Sequence, residues 1–60
     1  MTNQQRQIRS NVRNGLMMES TKTIKNFMDR SNDPFTKSVC QDMLDECVQH
    51  NVDNYGNVPG

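Results

Sequence analysis

Residues 31–48 read SNDPFTKSVCQDMLDECV, and this stretch decides the fold. Proline is favoured at the first position of a helix, where its missing N–H costs nothing. Asp33 directly before Pro34 is a good N-cap. A residue preceding proline is also pushed out of helical geometry, so an earlier helix must stop here. Ser31-Asn32-Asp33-Pro34 thus reads as helix end, turn, helix start. Beyond it, Phe35, Val39, Cys40, Met43, Leu44, Cys47 and Val48 recur at helical spacing and share one broad face. Lys37, Gln41, Asp42, Asp45, Glu46 and Gln49 mostly take the other. The pattern predicts a helix from Pro34 to about Asn51, extending as far as Asn54. Gly56 and Pro59 then supply stop signals, with Tyr55 near the apolar face.

Working back from the turn, Leu16, Met17, Ile24, Phe27 and Met28 predict a helix over 16–30. Ile8 and Val12 continue the spacing toward the N-terminus, and Asn14-Gly15 interrupts it. Two readings stay open for the first half. One long helix over 3–30 tolerates Gly15, since a helical glycine costs only about 1 kcal/mol. Otherwise a loose basic arm precedes a shorter helix. No strand pattern, repeat or low-complexity tract interrupts this scheme. The expected organisation is a basic arm or helix extension over 1–15, a helical hairpin over 16–54 turning at 31–34, and a tail over 55–60. The fold class is all-α, a two-helix antiparallel hairpin.

A hairpin of sixty residues has little to hold it together. A chain this short buries about 60% of its unfolded surface, and a single core at this size seldom supplies more than about 3–5 kcal/mol. Alanine and tryptophan are absent, five residues are methionine, and mean hydropathy is −0.95. Two helices in one layer leave an apolar face uncovered. Self-association into a helical bundle is the simplest remedy. The expected contact surface is Phe35, Val39, Cys40, Met43, Leu44, Cys47 and Val48, facing a second copy in a homodimer or a larger protein.

Net charge is zero but segregated. Residues 1–30 carry Arg6, Arg9, Arg13, Lys22, Lys25 and Arg30 against Glu19 and Asp29, a net of +4. Residues 31–60 carry Lys37 against Asp33, Asp42, Asp45, Glu46 and Asp53, a net of −4. Such asymmetry suits electrostatic pairing of two antiparallel halves, or a basic face for a polyanion. On a helix Arg6, Arg9 and Arg13 form a basic stripe able to sit on phosphates. No aromatic residue stands among them to stack a base. Nucleic acid is therefore the alternative partner, with these three arginines as its contacts.

Little else in the sequence carries chemistry. Cys40 and Cys47 lie two turns apart on one face, about 10 Å along the axis. That is too far for a disulfide within the helix. They read as two small buried apolar residues, or as an intersubunit disulfide across a dimer seam. Cys47 and His50 are three apart and can reach one metal ion from one helix, but a structural zinc site needs four ligands. His50 reads more simply as a favourable partner for the helix C-terminus. Asp42, Asp45 and Glu46 form an acidic ridge that reads as a solvated face. With no phosphate loop, nucleophile motif or nucleotide fingerprint, the expectation is a non-enzymatic interaction protein without metal or cofactor. No apolar run approaches the roughly 20 residues of a membrane span. The N-terminal segment lacks a signal-peptide core, so the expected location is cytoplasmic.

The stretch Ile24-Lys25-Asn26-Phe27-Met28, with Asn32-Asp33-Pro34, Met43-Leu44-Asp45-Glu46 and His50, resembles the helix–Asp-Pro–helix pattern of coat-F-type spore coat proteins. The resemblance covers about half the chain and implies a helical hairpin without catalytic role. In size and layout the chain is also similar to the plasmid copy-number protein ROP, a dimer of hairpins that binds paired RNA loops. No residue-level match accompanies that likeness, and architecture alone does not imply function.

Overall fold

Each helix starts on a side-chain cap supplied by its sequence. The computed structural model describes residues 1–59, leaving Gly60 of the expected tail outside the described residues. Helix α1 spans Asn3–Leu16 and opens on a capping box. There the Thr2 hydroxyl accepts the Gln5 amide at 3.1 Å, and the Gln5 side-chain carbonyl accepts the Thr2 amide at 3.0 Å. Helix α2 spans Thr21–Arg30 behind Ser20, whose hydroxyl accepts the Thr23 amide. Helix α3 spans Pro34–Gln49 behind Asp33. The Asp33 carboxylate accepts both the Thr36 hydroxyl, at 2.8 Å, and the Thr36 amide, at 3.1 Å. Those two bonds hold its carboxyl below the ordinary carboxylate range.

The molecule therefore has three helices, and the two-helix hairpin is corrected. The first half is neither a long helix over 3–30 nor a loose arm before a helix starting at Leu16. Gly15 stays inside α1, one residue from its end, and the chain breaks at Met17–Ser20 instead. Ser20 decides the break, because an N-cap residue holds extended dihedrals (here φ −73°, ψ 160°) that end any helix running into it.

Helices α1 and α2 both pack along α3 and barely meet each other. The core lies along α3: Val39, Cys40, Met43 and Leu44 cluster with Val12 and Leu16 of α1 and Ile24 of α2, and Cys47 is buried further along α3. Ile8, Met28, Phe35 and Tyr55 pack around that centre, half-buried. Ile24, Cys40, Met43 and Cys47 are wholly excluded from solvent. Full burial of a side chain the size of Ile24 or Met43 contributes about 1.5–3 kcal/mol. The α3 face reserved in the sequence for a partner is thus covered by the chain's own α1 and α2 together.

Helix α3 ends earlier than expected. Asn51 takes the left-handed conformation (φ 53°). Its amide donates to the Val48 carbonyl, and the Val52 amide donates to the Cys47 carbonyl at 3.0 Å. This is a complete Schellman closure with asparagine in the place of the usual glycine. Gly56, read as the stop signal, belongs to a later 3₁₀ turn, Tyr55–Asn57. There a Cβ would stand 2.9 Å from the Asn54 side-chain oxygen and 3.2 Å from the Met18 sulfur, so any larger residue displaces those two side chains.

The segment after α3 is a strap rather than a free tail. The Thr21 amide donates to the Asp53 carbonyl, and the Tyr55 amide to the Glu19 carbonyl, both at 2.9 Å. The result is an isolated antiparallel bridge, Ser20 to Asn54. It satisfies backbone groups at the α1–α2 break that a helix would otherwise pair internally.

Candidate functional site

The angular order of residues on α1 creates two unlike flanks. At about 100° per residue, Gln5, Ile8, Val12 and Leu16 face the core. Arg6, Arg9 and Arg13 fall to one side of that stripe; Gln4, Asn11 and Gly15 fall to the other. The arginine flank meets the C-terminal strap, and the glutamine–asparagine flank is turned toward α2.

On the basic flank, the Arg13 guanidinium donates to the Tyr55 hydroxyl at 2.7 Å, and that hydroxyl donates to the Glu46 carboxylate at 2.6 Å. Arg13 and Glu46 stand 3.5 Å apart, the one ion pair among the described residues. Burial, followed by the bond to Glu46, pushes the Tyr55 hydroxyl above the ordinary tyrosine value, with the Arg13 charge working the other way. The three groups latch α1, α3 and the strap together. The general pairing of basic and acidic halves foreseen from the charge pattern reduces to this single latch. Arg13 is thereby withdrawn from the stripe assigned to nucleic acid, while Arg6 and Arg9 stay exposed.

On the opposite flank, the gap between α1 and α2 forms an open groove of about 230 Å³ lined by Asn11, Val12, Gly15, Leu16 and Phe27. Gly15 makes its floor: a Cβ added there would meet nothing within 4 Å. Phe27 forms one wall and is 39% exposed. The lining holds no acid, base or nucleophile. What it can do is receive an apolar side chain.

The residues expected to form a protein interface fare unevenly. Val39, Cys40, Met43, Leu44 and Cys47 are interior and Phe35 is half-buried, whereas Val48 stands out at 78% exposure, alone. The reason is the extra helix: α1 lies where the second molecule was expected. Burial pushes both thiols above the ordinary cysteine value, and both are free. Shut inside the core, they do not reach a dimer seam. Cys47 is interior while His50 caps α3 in solvent, and no group of three or more metal-ligating residues gathers among the described residues.

The sequence reading missed the groove and the latch. From the sequence Gly15 reads as an interruption or a tolerated helical glycine, and Tyr55 as a residue near the apolar face. A signal for the groove existed in Ser20, since a break there lets residues 3–16 fold back beside α2. Comparison of the chain with protein-family models, curated proteins and solved structures gives no match. Among the described residues, no helix is long and apolar enough to cross a membrane.

Proposed function

We propose that this chain is a small non-enzymatic interaction module whose contact surface is the α1–α2 groove rather than the α3 face. The observation that carries it is an open, apolar groove floored by Gly15, with Phe27 exposed in its wall. An exposed apolar side chain is ordinary on its own, but one that lines an apolar concavity marks a place where another surface sits.

The test is affinity capture from the native host with the parent chain and with Gly15→Leu, which fills the groove. A bound protein, whether this chain or another, that is lost with Gly15→Leu is the expected result. Identical recovery by both overturns the reading. The second reading, nucleic-acid binding, rests on Arg6 and Arg9, which stay exposed on α1. It predicts binding to RNA or DNA that weakens with rising salt and falls further when both arginines become alanine.

A further inference from the structure

We propose that the α1–α2 groove is filled by a second copy of this chain, Phe27 of each molecule entering the groove of the other beside Gly15. This rests on the interaction reading above and names the occupant. Two observations favour a second copy.

The first is shape. The groove measures about 230 Å³. A void on the order of 150 Å³ already accepts a benzene molecule, so a phenyl ring fits. The ring is supplied by the groove's own wall, because Phe27 is 39% exposed there. A projection and a recess on the same patch are what a two-fold, isologous contact requires: each molecule gives its ring and receives its partner's.

The second is charge. A self-contact sets the rim of one molecule against the rim of the other, so a rim carrying charge of one sign opposes it. Along α1 the groove flank carries Gln4 and Asn11, both uncharged, while the arginines occupy the far flank. Beside Phe27 on α2, one turn to either side, stand Thr23 and Arg30, a single cation. A segregated chain with four excess positive charges in its first half has thus kept its α1 groove flank neutral.

Sedimentation equilibrium of the full chain at micromolar to millimolar concentrations tests it. The expected result is a monomer–dimer equilibrium that Gly15→Leu and Phe27→Gln each weaken at least about tenfold. Arg6→Gln with Arg9→Gln, on the far flank, leaves it unchanged. Gly15→Leu decides the matter if Phe27→Gln misfolds, because the added side chain enters open space and its helical circular dichroism is expected to be retained. A dimer insensitive to Gly15→Leu overturns the proposal, as does a monomer at every concentration. In the monomer case, a different protein captured in a Gly15-dependent manner leaves the groove reading standing and only the self-pairing fallen. A monomer without such a partner removes both.

Discussion

Tyr55 shows how a single hydroxyl ties distant parts of so short a chain. Its O–H bridges residues 42 and nine positions away, Arg13 and Glu46, and joins α1 to α3 through the strap. Removing it with Tyr55→Phe keeps the ring against the core and breaks both bonds. Because Arg13 and Glu46 are 26% and 37% exposed, water replaces part of the loss. The expected cost is about 1 kcal/mol in urea unfolding at neutral pH, toward the lower end for bonds to charged groups. The pH dependence follows from the direction of the Tyr55 shift. Its folded value is raised, so the native state holds the proton after the unfolded chain has released it. The contribution is complete below the ordinary tyrosine value and disappears as pH rises through the folded one. The parent and Tyr55→Phe chains should therefore converge in stability above about pH 10. Equal stability of the two at pH 7 would mean that the latch holds nothing.

At the scale of elements, legibility depended on whether a cap stood next to an unmistakable neighbour. Asp33-Pro34 did, and α3 begins there. Ser20 did not: it lies among Thr and Lys residues that read as a weak patch of a continuing helix, which leaves one long helix over 3–30 and a basic arm before a shorter helix both open. The apolar positions of α1 were visible as a 3.6-residue stripe, but a stripe does not say which helix it meets. The α3 stop was hidden because asparagine took a place where glycine was sought. That substitution is testable. Non-glycine residues in the left-handed region cost roughly 1–2 kcal/mol, and asparagine lowers this by local hydrogen bonding. At φ 53°, Asn51→Ala should destabilise by about 1 kcal/mol, and Asn51→Gly should be neutral or stabilising despite the added freedom of the unfolded chain. Thermal melts of the three proteins check this. Alanine as stable as asparagine would show that α3 does not end in this closure.

For the molecule as a whole, chain length pointed correctly to a missing layer and wrongly to its source. Two helices are indeed too few to bury the α3 face, but the covering layer comes from residues 3–16 of the same chain. Val12 and Leu16 of α1 close over α3, with Ile8 packed beside them, and the Arg13–Tyr55–Glu46 latch holds α1 in place. Deleting residues 1–18 converts the protein into the two-helix hairpin that its second half resembles. Such a piece exposes much of the face around Val39, Cys40, Met43, Leu44 and Cys47, and keeps too few buried side chains to offset the entropy of ordering. Two outcomes are expected: loss of cooperative unfolding in circular dichroism, or assembly into oligomers across the bared face. Cys40 and Cys47 report the same event. Buried and protonated in the full chain, they should react with a thiol reagent only as fast as the protein opens, and in the truncated chain far faster. A truncated monomer that unfolds cooperatively with both thiols protected would mean that α1 is an appendage. The core would then belong to α2 and α3 alone, and the groove beside Gly15 would lose its rigid wall.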